Sequence, residues 1–105
     1  MLLVAAALAA VPIHAQETKY EVVIRGVEDH PHLSKLLNEV SSLVTLKDQP
    51  PPSPIGLGRR ADADLDRFRA ALRSEGFYDA IVDAEIDVDV VPARVLIRVE
   101  EGARY

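Results

Sequence analysis

The chain has 105 residues, with 12 basic and 17 acidic side chains for a net charge of −5, and no cysteine. This length limits it to a single domain, and the negative charge argues against a nucleic-acid partner or adsorption on anionic lipid. Without cysteine there is neither a disulfide framework nor a thiolate site.

The amino-terminal residues form an apolar run without a charged side chain. Met1 to Ile13 is rich in alanine and leucine and leads to His14 and Ala15, and it is shorter than the ~20 residues needed to span a bilayer. The pattern predicts a signal peptide over residues 1–15, cleaved after Ala15, although its positively charged start is missing. A buried helix and a short membrane anchor are the alternatives. Export of a cysteine-free domain, residues 16–105, is typical of the bacterial periplasm.

A strand and a helix are predicted next. β-Branched and aromatic residues alternate over residues 19–26, which predicts strand 1. Pro31 suits the first position of a helix, and apolar residues follow at three- and four-residue spacing, which predicts helix 1 over residues 31–45. The inward residues of the strand are Tyr20, Val22 and Ile24, and the helix stripe is Leu33, Leu36, Leu37, Val40, Leu43 and Val44.

A proline-rich connector is predicted over residues 47–54. Consecutive prolines favour a stiff polyproline II segment that links two helices. Pro51 and Pro54 also have the PxxP spacing that proline-reading grooves recognise, so a structural linker and a recognition motif are the two interpretations.

Helix 2 is predicted over residues 55–75. Ser53 suits its N-cap and Pro54 its first turn, while Gly76 suits a left-handed cap and Phe77 the apolar contact that accompanies such a cap. The apolar face comprises Leu57, Ala61, Leu65, Phe68, Ala71 and Leu72.

After this helix the apolar residues recur at every second position, as they do in a β-strand. Strand 2 is predicted over residues 79–90 and strand 3 over residues 93–101, joined through Val91 and Pro92. Acids on strand 2 face outward opposite arginines of strand 3, where cross-strand pairs contribute about 0.2–1 kcal/mol each. The inward residues are Val82, Ala84, Ile86, Val88, Val90, Val95, Ile97 and Val99, and the outward ones are Asp83, Glu85, Asp87, Asp89, Arg94 and Arg98.

The element order β-α-α-β-β predicts an α+β fold. Each strand has one apolar face and each helix one apolar stripe, so the two sets cover one another as two layers. We expect a three-stranded mixed sheet, with strands 2 and 3 as an antiparallel hairpin, covered on one face by two antiparallel helices.

No combination of residues predicts catalysis or a cofactor. The acidic row spreads its side chains ~6.6–7 Å apart along a strand, whereas calcium needs about six to eight oxygens at one point, so a solvated face is expected. His30 and His32 flank Pro31 without a third ligand at metal-site spacing. The serines lack a Gly-x-Ser-x-Gly context, and Gly56-x-Gly58 lacks the lysine of a phosphate loop. The chain is therefore expected not to be an enzyme and to hold no metal or cofactor.

The most specific residues lie at the end of helix 2 and in the turn after it. They comprise Arg60-Ala61-Asp62-Ala63-Asp64-Leu65 through Leu72-Arg73-Ser74-Glu75-Gly76-Phe77-Tyr78-Asp79-Ala80, and two further stretches contribute, Tyr20-Glu21-Val22-Val23-Ile24-Arg25-Gly26-Val27 and the ending Val99-Glu100-Glu101-Gly102-Ala103-Arg104-Tyr105. Over residues 18–105 the pattern resembles a POTRA domain, in particular the first POTRA domain of the TamA-like branch of the BamA/TamA family of outer-membrane protein assembly factors. That family commonly has a glycine, two aromatics and Asp-Ala at this turn.

The resemblance implies a periplasmic binding module associated with the outer membrane of a Gram-negative bacterium. It implies the sheet order 1-3-2, which leaves strand 2 at an edge where an extended polypeptide is added through backbone hydrogen bonds. The implied partners are unfolded outer-membrane or autotransporter polypeptides, neighbouring POTRA domains and assembly-complex subunits, contacted beside Asp83, Glu85, Asp87 and Asp89. Members of the family also carry further POTRA domains and a membrane barrel, so the chain is expected to be a fragment, a truncated product or a stand-alone module.

Three other interpretations remain open. An interaction domain of another secretion or cell-division envelope protein would share the β-α-α-β-β order. A small hydrolase would need a concave site with shifted titrating groups. A KH-like nucleic-acid module would need a basic face and a Gly-x-x-Gly loop.

Overall fold

The computed structural model describes residues 17–102, so the predicted signal peptide lies outside the described residues. The elements are β1 (Tyr20–Arg25), α1 (Pro31–Val40), α2 (Ser42–Thr45), α3 (Pro54–Ser74), β2 (Ile81–Asp87) and β3 (Ala93–Glu100). The three strands form one mixed sheet with the order β1-β3-β2, in which β1 is parallel and β2 antiparallel to the central β3. The predicted α+β class, the mixed sheet and its strand order are therefore confirmed.

One face of the sheet and the apolar stripes of the helices form the core. The inward residues of β3 are almost completely buried, as the alternation predicts, and the charged residues between them are exposed. Phe68 of α3 is the largest fully buried side chain. The core comprises Tyr20, Val27, Leu33, Leu37, Leu43, Leu57, Ala61, Phe68, Ala71, Leu72, Phe77, Val82, Ala93, Val95, Ile97 and Val99. The helices thus cover one face of the sheet and leave the other to solvent.

The predicted single helix over residues 31–45 is wrong, because the chain leaves the helical conformation at Ser41. Ser41 has an extended backbone (φ −80°, ψ 123°), and its hydroxyl accepts a hydrogen bond from the Val44 amide at 3.1 Å. Ser41 therefore ends α1 and caps α2, as serine commonly does. The apolar stripe continues across the break with the buried Leu43, so periodicity alone could not reveal it.

A carboxylate from α3 holds the start of α2. Asp64 is completely buried, and it accepts hydrogen bonds from the Ser41 hydroxyl at 2.6 Å and from the Ser42 amide at 2.8 Å. The Leu43 amide and the Arg67 guanidinium each add a bond at 2.9 Å. A charge taken out of water needs such partners, and four donors here supply them. Asp64 thereby fixes α2 against α3.

The connector and the start of α3 agree with the structural interpretation of the proline-rich stretch. The Ser53 hydroxyl accepts a hydrogen bond from the Gly56 amide at 3.1 Å, and Pro54 is the first helical residue. The Thr18 amide donates to the Pro51 carbonyl at 2.8 Å, which ties the connector to the chain just before β1. Ser53 is thus the N-cap that the sequence predicts.

The end of α3 also agrees with its predicted cap. Gly76 has φ 93°, a left-handed conformation that glycine adopts without strain. The Phe77 amide donates to the Leu72 carbonyl at 2.9 Å, and the Gly76 amide donates to the Arg73 carbonyl at 3.0 Å. These are the two hydrogen bonds of a Schellman cap, and the buried Phe77 supplies its apolar contact.

β2 is shorter than its predicted range of residues 79–90. It ends at Asp87, whose carboxylate accepts a hydrogen bond from the Asp89 amide at 2.9 Å as the chain turns. Val88 is 47% exposed, so its predicted inward orientation is wrong, and Asp89 lies beyond the strand. The alternation of the sequence continues into this turn, but β3 pairs with β2 only as far as Asp87.

Candidate functional site

β2 forms one edge of the sheet and exposes acidic side chains. The side chains of Asp83 and Glu85 are each 62% exposed, and Asp87 is also exposed, all on the face that the helices leave open. The fourth predicted site residue, Asp89, is exposed in the turn after the strand. The structure therefore brings the first three together on the edge strand and does not place Asp89 with them.

The acidic row is partly neutralised from the central strand. The register sets Arg98 opposite Asp83 and Arg94 opposite Asp87, as predicted. Arg98 Nη2 lies 3.0 Å from Glu85 Oε2, and its Nη1 lies 3.8 Å from Asp83 Oδ1. Exposed pairs of this kind contribute about 0–1 kcal/mol each, so the row is a hydrated, acidic border of the edge.

The backbone of β2 is what this edge offers to a partner. In an antiparallel strand the N–H and C=O groups of one residue point to the same side, and the side alternates along the strand. The Val82 carbonyl accepts a hydrogen bond from Arg69 of α3 at 3.3 Å, which places it on the outer side. By the same alternation Ala84 and Ile86 direct their backbone groups outward. Among residues 17–102, no hydrogen bond reaches these two residues from outside the sheet.

The opposite edge strand, β1, has the proline-rich connector beside its start. The Thr18 amide, just before it, is bound to Pro51 of the connector. Glu21 of β1 and Pro50 of the same connector line one groove. The connector therefore flanks the start of β1, as Arg69 flanks the start of β2.

A second concave feature lies between the start of α1 and the ends of α3 and β3. The Nε2 atom of His30 lies 3.1 Å from Glu101 Oε1, and that of His32 lies 2.8 Å from Glu75 Oε1, around a cleft of about 510 Å³. The His30 ring meets the Phe77 ring edge to face, with centroids 6.4 Å apart. Its described lining contains no serine, threonine, cysteine or lysine that could act as a nucleophile. The two imidazole–carboxylate pairs fasten three chain segments together.

The ionisable groups of the described chain do not form a metal site. Within residues 17–102, no group of three His, Cys, Asp or Glu side chains could hold a metal ion. The pKa of Glu28 is held below its usual value because its own backbone amide and that of Gly26, at 2.7 Å, donate to the carboxylate. This turn lies between β1 and α1, away from β2. In the same range no helix combines the length and the apolar character needed to cross a bilayer.

Arg69 is the residue at this edge that sequence reasoning did not single out. It lies off the apolar face of α3, three residues after Asp66, whose Oδ1 accepts from Arg69 Nη1 at 3.1 Å. The Asp66–Arg69 spacing predicts that ion pair. The contact with Val82 depends on how α3 crosses β2, which the local sequence does not encode.

The candidate site is therefore the outer edge of β2. The backbone groups of Ala84 and Ile86 face outward along it, and the acidic row borders it on the open face. A scan against protein-family models, and searches of curated proteins and of solved structures, found no match to this chain.

Proposed function

We propose that this domain is a POTRA-like polypeptide-binding module of a TamA-like outer-membrane protein assembly factor and works in the periplasm. It takes up an extended segment of an unfolded outer-membrane or autotransporter polypeptide as an additional strand beside β2. The observation that carries this function is the open edge, where the outward backbone of Ala84 and Ile86 meets no partner from outside the sheet within residues 17–102.

The order of the elements supports the proposal. The sheet order β1-β3-β2, with helices between β1 and β2, is the arrangement that the resemblance implies, although the first helix is divided into α1 and α2. The turn with the most specific residues of the resemblance holds the left-handed Gly76 and the buried Phe77. That turn joins α3 to the proposed binding strand, so it sets where the edge begins.

Strand addition at this edge is expected to be weak and reversible. Two outward residues offer two N–H and two C=O groups, and each new hydrogen bond contributes about 0.5–1.5 kcal/mol net. The sum of about 2–6 kcal/mol is offset by the cost of association. Tight capture therefore needs side-chain contacts or several such modules acting in series. Weak binding suits a module that receives an unfolded polypeptide and passes it on.

The acids that border the edge select against one kind of partner. Their side chains project from the sheet face, whereas an added strand pairs in the plane of the sheet. Like charges directly opposite one another on neighbouring strands are destabilising, so two copies of this acidic strand pair poorly. Charged side chains at an edge reduce self-association in this way and leave the backbone available to strands of other sequence.

Site-specific photo-crosslinking in Gram-negative cells tests the proposal. Crosslinkers at Asp83 and Asp87 should capture outer-membrane or autotransporter polypeptides, or subunits of an assembly complex. A crosslinker at Glu39, an exposed acid on α1, is the matched control. Capture of a cell-division or other secretion protein at the edge would assign the domain to the alternative class. Absence of any capture at Asp83 and Asp87 would contradict polypeptide binding.

A further inference from the structure

Arg69 reaches from α3 to the outer edge of β2. Its Nη2 atom donates to the Val82 carbonyl at 3.3 Å, and its Nη1 atom donates to Asp66 Oδ1 at 3.1 Å. The Arg69 side chain is 44% exposed, so it lies across the border between the helix layer and solvent. Asp66 thereby orients the guanidinium toward a carbonyl that would otherwise be open to an added strand.

The contact divides the edge into two parts. Val82, Ala84 and Ile86 are the residues whose backbone groups face outward, because the side alternates along an antiparallel strand. The first of them already has a donor from Arg69. The other two have none from outside the sheet among the residues that the structure describes. An incoming strand that paired along the whole of β2 would have to displace the guanidinium.

We propose that Arg69 covers the first part of the β2 edge and thereby sets the register of the added polypeptide. The extended partner pairs with Ala84 and Ile86 and not with Val82. This inference rests on the proposed function of β2 as a site of strand addition. Arg69 thereby decides which backbone groups of the edge the polypeptide uses.

Covering part of the β2 edge reduces the risk of aggregation. An uninterrupted row of unpaired backbone groups is a template for edge-to-edge aggregation, and proteins shorten or charge such edges. Arg69 removes one outward carbonyl from the row, and its charge discourages a second sheet from approaching at that point. The remaining outward residues still suffice for a short, reversible pairing.

The test compares Arg69→Ala with Arg59→Ala, which removes an exposed arginine near the start of the same helix. The probes are labelled ten-residue peptides from the transmembrane strands of a porin, and their affinities are measured by fluorescence anisotropy. Arg69→Ala should bind about 5- to 160-fold tighter than the parent, the factor for two additional net backbone hydrogen bonds, one to the N–H and one to the C=O of Val82. Arg59→Ala should bind as the parent does. Asp66→Ala, which frees Arg69 from its partner, should tighten binding by a smaller factor.

Amide hydrogen exchange reports the register in the same complexes. With peptide bound, the amides of Ala84 and Ile86 should be protected in every variant, and the Val82 amide should gain protection only when Arg69 is removed. If the parent binds and Arg69→Ala changes neither the affinity nor the exchange of Val82, the inference is overturned and strand addition stands. If no variant binds any peptide and Ala84 and Ile86 exchange unchanged, strand addition itself is refuted.

Discussion

Replacement of Asp64 by alanine tests how the helical layer is held together. The substitution removes the acceptor of the Ser41 hydroxyl and of the Ser42 and Leu43 amides, which donate to it at 2.6, 2.8 and 2.9 Å. These donors lie at the start of α2, and Asp64 itself is completely buried. We therefore expect α2 to lose its attachment to α3 while the sheet keeps its own hydrogen bonds.

The expected loss of stability follows from the hydrogen-bond donors that would be left without an acceptor. Each buried donor left without an acceptor costs about 1–3 kcal/mol, whereas Arg67, which is 47% exposed, regains water. Alanine regains at most ~0.7 kcal/mol of helix propensity. With three such donors, of which the Ser42 amide is only partly buried, Asp64→Ala should lower the free energy of unfolding by about 3–5 kcal/mol, out of the 5–15 kcal/mol typical of a domain.

Urea denaturation followed by circular dichroism measures this change. Asp64→Asn keeps the shape and one acceptor oxygen, so it should lose about 1–3 kcal/mol. Asp62→Ala, an exposed acid two residues earlier on the same helix, should change the free energy of unfolding by no more than about 0.5 kcal/mol. A loss below about 1 kcal/mol for Asp64→Ala would show that the three hydrogen bonds from Ser41, Ser42 and Leu43 to this carboxylate do not hold α2, and would refute the reasoning.

Two further predictions concern a backbone position and a titrating group. Gly76→Ala places a side chain at φ 93° and should destabilise the domain by about 1–2 kcal/mol. Gly58→Ala, at a position of α3 with open space around it, should stabilise the domain by about 0.5–1 kcal/mol. Changes of the same sign in the free energy of unfolding, measured by urea denaturation, would contradict this. The pKa of Glu28 is lower in the folded chain because backbone amides donate to its carboxylate. The charged form therefore stabilises the fold at pH values above the unfolded pKa, and this contribution is lost as the pH falls through the folded pKa. Glu28→Gln should flatten that part of the acid dependence in denaturation series across pH, and an unchanged profile would count against the hydrogen bonds.

The strands and the long helix could be predicted because their buried residues follow simple periods. The inward residues of β3 alternate without interruption, and the caps at Ser53 and Gly76 are local signals that need only neighbouring residues. The acids of β2 could likewise be assigned to the open face, since Asp83 and Asp87 alternate with apolar residues. The alternation failed as a guide at Val88, because it continues in the sequence after the pairing of β2 with β3 has ended at Asp87.

The break at Ser41 and the buried Asp64 depend on contacts between residues far apart in the chain. A serine after an apolar stripe fits the exposed side of a longer helix equally well, and only the carboxylate of α3 decides otherwise. A signal was nevertheless present, since Asp64 lies three residues after Ala61 and four before Phe68, on the buried face of the helix. Arg69 could not be assigned to the edge, because its contact with Val82 depends on the position of α3 against β2.

Amide hydrogen exchange of the unaltered domain tests the central claim, that the outer edge of β2 receives an extended polypeptide. Exchange at Ala84 and Ile86 is compared with and without an unfolded porin in excess, and the amides of β1 serve as the second edge of the same sheet. The claim predicts slower exchange at Ala84 and Ile86 on binding and no change along β1. Protection along β1 alone, or unchanged exchange at both edges while the porin is bound, would contradict it.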